Sequence, residues 1–479
     1  MRMNRLYAPA AAVCLVAAGL PMAGNANAAA GGASSNPMQK SRPLRPGPPR
    51  YLEQYDFLAE SEGHNDFFDP IRHIPVGSSS WLQLGGGFRY RYEDQNEPGF
   101  GLGGVNNDSY YQQRLQLHAD LHLFDDALRA FVQLENTESW SKETFSPFDE
   151  SDNELHQAFL DFNTDTYSGG RLTARVGRQE MALGEFVNTT TRAVPNVRQT
   201  FDGVRLIYAG PDGYNFNAFF TQPVGTVQDG SFNDSSSDSG DFYGLYSEIP
   251  LSESISTDVY YYGYKRDNNA LNGAAGKEKR HSTGNRLHGV AGNVDFTVDT
   301  LYQFGDLGDQ DIKAWGLSGS TGYTFNGVAG KPGMALRFDA ASGDDSPTDS
   351  ESNTFDPLFP ANGKFYGNAS LTTLSNLIAV GPQFAVSPLP SVTVSPTILA
   401  LWRESEEDSA YLPGLRPIAG TANVPGSRLG TTYNMFVRWA ATANFTLDLE
   451  YQYYDVSDVI RDVGGEDTQY ASVRASFLF

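Results

Sequence analysis

The sequence has almost no cysteine, and its single one, Cys14, lies within the first 28 residues. Those residues have the features of a secretory signal peptide: Arg2 and Arg5 precede an apolar run over residues 8–20, and an Ala-Asn-Ala cleavage site ends at Ala28. Cys14 lacks the small-residue context of a lipoprotein acceptor. We therefore expect a secreted mature chain that contains neither a disulfide nor a reactive thiol.

Long hydrophobic runs are also missing. After residue 20 no stretch approaches the roughly 18 consecutive apolar residues that a membrane-spanning helix requires, and the mean hydropathy is -0.40. This absence excludes helical membrane spans. It does not exclude spanning strands, because these alternate lipid-facing and lumen-facing residues and therefore average as polar.

Basic residues are few. The chain has 34 Lys and Arg against 57 Asp and Glu, and the resulting net charge of -23 argues against nucleic acid as a partner. The acidic residues crowd three expected loops, at residues 229–241, 343–356 and 403–409. We expect these loops to be solvated rather than to form specific sites for divalent cations.

Glycine and aromatic residues are abundant, and apolar and polar residues alternate strictly in many segments. The 49 Gly, 30 Phe and 25 Tyr suit a large all-β protein with tight turns and aromatic girdles. In residues 111–123, Leu and Ala alternate with Arg, Gln, His and Asp, which is typical of a strand with one apolar and one polar face. Residues 468–479 repeat this pattern and end in Phe479, which resembles the last strand of bacterial outer-membrane barrels.

We count about 18 such segments after Trp81, at about 22 residues per strand and loop, and no linker separates them. The sequence therefore predicts an all-β fold, namely a single transmembrane antiparallel β-barrel of about 18 strands. We divide the chain into a signal peptide at residues 1–28, a leader at residues 29–80 and an outer-membrane β-barrel at residues 81–479. The leader begins as a flexible Gly, Ser and Pro-rich stretch, and residues 51–75 lie either in the periplasm or in the barrel mouth.

If the apolar face contacts lipid, the polar face lines the lumen, and it carries many arginines among carboxylates. Arginine stays charged, and its planar group can engage a carboxylate with two hydrogen bonds. Two interpretations remain open: arginine-carboxylate pairs brace the wall, or arginines select anions as they do in anion pores. The candidates on strands are Arg89, Arg91, Arg114, Arg129, Asp161, Arg175 and Arg205.

The remaining candidates lie on or beside one long connection within residues 175–206. Arg178, Arg192 and Arg198 are close in sequence to Glu180 and Asp202 there. A long arginine-bearing connection between paired strands is expected to fold inward and narrow the pore.

Several motifs resemble those of the alginate-export family of outer-membrane proteins. They are GGGFRYRYE at residues 85–93, YYQQRLQLHADLHL at 110–123, FVQLENTES at 131–139, LHQAFLDF at 155–162, VGRQE at 176–180 and PNVRQTFDGVRL at 195–206. The motif-level likeness covers residues 69–262, and beyond it the likeness is architectural.

The resemblance implies a monomeric barrel with an electropositive lumen that passes a polyuronate or another carboxylated solute. Among the candidates, the matching positions implied for solute passage or lumen bracing are Arg89, Arg91, Arg114, Arg129, Arg175, Arg178, Arg198 and Arg205. One departure weighs against a polyanion: residues 184–187 read Gly-Glu-Phe-Val where the family often has a run that carries a base.

Three alternatives to an exporter remain open. The first is a general or small-molecule uptake porin of the same fold; the others are a barrel-borne enzyme and an adhesin. No Gly-x-Ser-x-Gly motif is present, and His118 and His122 would lie about 13 Å apart along one strand, too far to share a metal. We expect no enzyme activity, cofactor or metal, and a passive, weakly anion-selective porin in contact with outer-membrane lipid.

Overall fold

The computed structural model describes residues 47–59, 66–143, 145–184, 189–236 and 240–479, in which eighteen strands form one closed antiparallel barrel. The prediction of about 18 strands is confirmed, and the expected signal peptide lies outside the described residues. The barrel strands, numbered in chain order, are β1 Trp81–Asn96, β2 Asn107–Leu123, β3 Leu128–Trp140, β4 Ser151–Asp165, β5 Arg171–Gln179, β6 Phe201–Ala209, β7 Asn215–Gly225, β8 Gly240–Pro250, β9 Ile255–Leu271, β10 Ala274–Ala291, β11 Val294–Leu307, β12 Gln310–Thr324, β13 Gly333–Ala341, β14 Leu377–Leu389, β15 Val392–Trp402, β16 Arg428–Ala440, β17 Phe445–Val456 and β18 Thr468–Leu478.

Short elements decorate the barrel. The helices are α1 Asp69–Arg72, α2 Asn362–Tyr366 and α3 Asp458–Arg461, and single 3-10 turns span Arg50–Leu52, Asp56–Ala59, Pro98–Gly101, Pro211–Gly213 and Thr421–Asn423. Two-residue strands occur at Ile74–Pro75, Ser235–Ser236, Glu351–Ser352, Tyr411–Leu412 and Arg416–Pro417. Within the described residues, no helix is long and apolar enough to cross a membrane.

The barrel closes where its last strand meets its first. β18 pairs with β1, so that Phe477 lies opposite Phe88, and the backbone N–H of Phe479 donates to the Gly86 carbonyl at 3.0 Å. A Cβ atom at Gly86 would lie 2.7 Å from the carbonyl oxygen of Gln116, which explains the glycine in this strand. Closure leaves no sheet edge, as a spanning β structure in lipid requires.

The two faces of the wall differ as the alternation predicts. Leu115 and Leu117 on β2 are 38% and 46% exposed on the outside, whereas Gln116 and His118 between them are buried on the inside. The outer face therefore presents apolar side chains to lipid, and the inner face presents polar ones to the lumen.

The connections differ in length at the two ends of the barrel. The short-turn end carries residues 124–127, 166–170, 210–214, 251–254, 292–293, 325–332, 390–391 and 441–444. The long-loop end carries residues 97–106, 141–150, 180–200, 226–239, 272–273, 308–309, 342–376, 403–427 and 457–467. In outer-membrane barrels the short turns face the periplasm and the long loops face outward.

The connections at residues 342–376 and 403–427 are folded against the inside of the barrel. Phe355, Leu371 and Ile418 belong to one buried apolar cluster that includes residues of the wall. The expectation that the acidic runs are simply solvated is wrong for Asp344 and Asp408, which are fully buried. Asp408 accepts hydrogen bonds from the Asp344 backbone N–H at 3.0 Å and from the hydroxyl groups of Thr354 and Tyr411, so its carboxylate holds the two connections together.

Residues 47–59 lie inside the barrel. The Tyr51 ring packs against Phe159 at 5.4 Å between centroids, and the Arg50 guanidinium donates to the Gly86 carbonyl at 2.7 Å. Further along, the Phe68 ring lies 5.2 Å from that of Phe479 at the short-turn end. Residues 47–59 therefore contact the inner wall, and Phe68 contacts the end of the last strand.

Candidate functional site

A large cavity of about 2050 Å³ lies within the barrel. Its lining includes Gly99 and Leu102 from the long-loop end and Pro390 and Ser391 from the short-turn end. The cavity therefore extends between the two ends of the barrel, as a path for solute requires.

The connection at residues 180–200 crosses this space. Three wall arginines hold it by its backbone carbonyls: Arg89 donates to Ala193 at 3.0 Å, Arg91 to Val194 at 2.8 Å and Arg114 to Asn196 at 3.1 Å. These bonds link β1 and β2 to the middle of the connection. The expected inward fold of this connection is present in its described part.

Other arginines of the lumen are paired with carboxylates. Arg129 donates to Asp120 at 2.6 Å, and Arg175 makes two bonds to Asp161 at 2.7 and 2.8 Å. Such two-point pairs between neighbouring strands cancel charge and stiffen the wall. The bracing interpretation therefore applies to these arginines.

Five cavity-lining arginines have no carboxylate partner within the described residues: Arg89, Arg114, Arg192, Arg205 and Arg416. The first two donate to carbonyls, Arg205 donates to the side-chain oxygen of Asn217 at 2.6 Å, and the Arg192 guanidinium lies over the Phe148 ring at 4.9 Å. Burial lowers the pKa of Arg192 to about 10, which leaves it charged at neutral pH. These arginines keep a net positive charge next to the cavity.

Two predicted residues lie on the other side of the wall. Arg178 donates to Asp202 at 2.8 and 3.0 Å, and neither residue lines the cavity. Both occupy the alternate positions shared with Val176 and Val204, which are 49% and 48% exposed on the outer face. Their assignment to the lumen is corrected, because the strand period directs them outward.

Glu180 and Arg198 belong to the crossing connection but do not line the cavity. The Arg198 guanidinium donates to Glu180 at 2.9 Å, and His156 lies 2.8 Å from the same carboxylate. Burial alone would raise the pKa of Glu180, but the charge of Arg198 and the bond to His156 lower it to about 2. This pair fixes one end of the connection.

Several lining residues were missed from the sequence. Arg266, Arg286 and Lys364 line the cavity, and so do apolar residues from three inward connections. Tyr262, Tyr264 and Arg266 occupy alternate positions along β9, and this period could have predicted that Arg266 faces the lumen. The apolar loop residues follow no period, so the sequence offered no comparable signal for them.

The lining is basic in a chain that is acidic overall. Fifteen Lys and Arg residues line the cavity against seven Asp and Glu, although the chain as a whole carries a net charge of -23. The fold has therefore separated the charges and placed the excess of positive charge inside.

One group of side chains has the spacing of a metal site among the described residues. Ligand atoms of Glu248, Asp258 and His288 lie within 4.8 Å of one another. Asp258 is, however, already bonded to the Arg286 guanidinium at 2.6 Å and to His288 at 3.1 Å. Because a neighbouring cation satisfies this carboxylate, we assign no metal to the group.

A closed barrel with an apolar outer face and a polar cavity between its ends defines an outer-membrane channel. The chain belongs to the alginate export family, whose model matches residues 80–474. The family resemblance predicted from the motifs is thereby confirmed, and the match extends well beyond the motif region.

Solved structures share the fold. OpdQ of Pseudomonas aeruginosa is 13% identical with a TM-score of 0.56, and the match covers 83% of this chain and 97% of that one. OccAB1 of Acinetobacter baumannii is 12% identical with a TM-score of 0.56, covering 83% and 96%. OccK11 of Pseudomonas aeruginosa is 12% identical with a TM-score of 0.52, covering 84% and 96%. A comparison with curated proteins finds no match by sequence.

Proposed function

We propose that this channel is anion-selective and passes carboxylated solutes. The observation that carries the proposal is the set of cavity-lining arginines without carboxylate partners among the described residues, namely Arg89, Arg114, Arg192, Arg205 and Arg416. An unpaired guanidinium beside a water-filled path attracts anions and repels cations. Its planar group also matches the geometry of a carboxylate.

The paired arginines do not carry this selectivity. Arg129 and Arg175 face carboxylates at hydrogen-bond distance, so their fields are largely cancelled at a distance. The bracing interpretation thus applies to the paired arginines, and the anion-selection interpretation applies to the unpaired ones.

The family supports a carboxylated cargo but does not distinguish a polyuronate from a small acid. A pore has no intrinsic direction, so export and uptake follow from the solute gradient. We therefore keep a small-molecule uptake porin as the second candidate, favoured by the apolar residues that line part of the cavity.

The test is the reversal potential of the purified protein in a planar bilayer across a potassium chloride gradient. We expect the potential to lie toward that of chloride, and a uronate oligomer added on one side to reduce the current. A potential toward that of potassium, or the absence of conductance steps at any voltage, would overturn the proposal.

A further inference from the structure

In the long-loop part of the cavity, the Arg192 guanidinium lies against aromatic side chains. Arg192 lies on the crossing connection, and its guanidinium is 4.9 Å from the Phe148 ring centroid and 5.7 Å from that of Phe359. Among the described residues, no carboxylate pairs with it. A guanidinium on an aromatic surface is held in place while its N–H groups stay available for a ligand.

The backbone at this position is unusual. Arg192 has a φ of 50°, in the left-handed region that residues other than glycine rarely adopt. Such a conformation is unfavourable for a residue other than glycine. The chain thus adopts an unfavourable conformation that places this cation beside the cavity.

The surface near Arg192 is apolar. Phe359 contacts Arg192, and its chain neighbours Leu358 and Pro360 line the cavity with it. Phe359 belongs to the same apolar cluster as Leu358, Leu371 and Ile418. A solute bound through Arg192 therefore meets hydrocarbon beyond its charged group.

This surface discriminates between two kinds of acid. Each ring of a uronate carries several hydroxyl groups, and a hydroxyl group turned toward Leu and Pro side chains loses its bonds to water without replacement. The ring of a benzoate-like acid has no such groups and gains from leaving water. The carboxylate of either acid can bind the guanidinium, so the difference in affinity between the two acids arises from the rest of the molecule.

We propose that Arg192, Phe148 and Phe359 form a subsite for monocarboxylates with an apolar or aromatic body, which this channel prefers over sugar acids. The inference rests on the proposed anion pathway and narrows its substrate class. The carboxylate accepts hydrogen bonds from the guanidinium of Arg192, and the body of the solute packs against the apolar connections.

The experiment compares benzoate with glucuronate as blockers of chloride current through single channels of the full-length protein in planar bilayers. We expect benzoate to block with an apparent Kd at least about tenfold lower than that of glucuronate. Benzyl alcohol, which has the same ring without the charge, should block little. Equal block by the two acids, or stronger block by glucuronate, would overturn the proposal.

Variants assign the effect to Arg192. Arg192→Gln should remove most of the preference for benzoate, and Phe359→Leu should reduce it. Arg428→Gln is the matched control, because Arg428 also lies over an aromatic ring, that of Trp402 at 4.5 Å, but does not line the cavity. If Arg192→Gln fails to fold, Arg192→Lys keeps the charge, so that chloride selectivity should persist while benzoate block weakens. Retention of the full preference in a folded Arg192 variant would contradict the subsite.

The two proposals fail separately. A channel selective for chloride that does not distinguish benzoate from glucuronate would contradict only the subsite. A channel selective for potassium would contradict the anion pathway and the subsite with it.

Discussion

The Arg89 guanidinium lies 2.8 Å from the side-chain oxygen of Asn196 and so joins the first barrel strand to the connection that crosses the lumen. The side-chain amide nitrogen of Asn196 in turn donates to the backbone carbonyls of Gln113 at 2.9 Å and Asp149 at 2.8 Å. Asn196 is thus fastened both to the wall and to the neighbouring connection. This amide therefore adds to the bonds by which Arg89, Arg91 and Arg114 fix the position of the crossing connection.

Asn196→Ala should loosen the crossing connection without opening the barrel. Each lost hydrogen bond contributes about 1 kcal/mol, whereas the strand pairing of the wall is untouched. We expect larger fluctuations of the open-channel current and a small decrease of the unfolding temperature. Asn285→Ala is the control, because Asn285 bonds to Thr257 on the exposed outer face. Equal current noise in the two variants would argue against this role of Asn196.

Arg205→Gln should lower the preference for chloride over potassium. Arg205 bonds to the side chains of Asn217 and Tyr51, and neither bond is one of those by which Arg89 and Arg114 hold the crossing connection, so its removal leaves that connection in place. The loss of one unpaired charge beside the path changes the electrostatic free energy by about 1 kcal/mol, or about fivefold in relative permeability. The reversal potential in a salt gradient measures the change.

Arg178→Gln is the matched control for Arg205→Gln. Arg178 lies on a neighbouring strand but points to the outer face, where it pairs with Asp202. We expect its reversal potential to equal that of the unmodified protein. A larger shift in Arg178→Gln than in Arg205→Gln would mean that the outer rim rather than the lumen sets selectivity.

Asp448→Asn should shift selectivity in the opposite direction. Asp448 is buried and bonds to both Arg438 at 2.7 Å and Arg474 at 2.7 Å, and both arginines line the cavity. Neutralising it leaves two unpaired cations, so the preference for chloride should rise while stability falls by about 3 kcal/mol or more. Asp212→Asn, in an exposed turn, should change neither property. A decreased chloride preference in Asp448→Asn would contradict this assignment.

The sequence predicted the barrel wall well because lipid and lumen impose a period of two on every strand. The same rule, applied to Arg178, would have placed it with Val176 on the outside; its closeness in sequence to Glu180 was misleading. The inward connections were not predictable in the same way. Phe359 and Leu371 follow no period, and their burial depends on contacts between connections that are far apart in the chain.

Tyr51→Ala should widen the channel at the short-turn end. The Tyr51 ring lies under the Arg175 guanidinium at 4.2 Å and against Phe159, and its hydroxyl donates to the Glu180 carbonyl at 2.9 Å. These contacts anchor residues 47–59 in the lumen. Truncating a buried aromatic side chain costs about 3 to 5 kcal/mol, so the segment should detach and the single-channel conductance should rise.

Tyr51→Phe tests whether the ring or the hydroxyl group of Tyr51 anchors residues 47–59. It keeps the ring between Arg175 and Phe159 and removes only the hydroxyl group, so the segment should stay in the lumen and the conductance should remain close to that of the unmodified protein. Equal conductance in Tyr51→Ala and Tyr51→Phe would mean that the segment does not limit the current. In that case we would assign the narrow point of the path to the crossing connection, which Arg89 and Arg114 hold within the lumen.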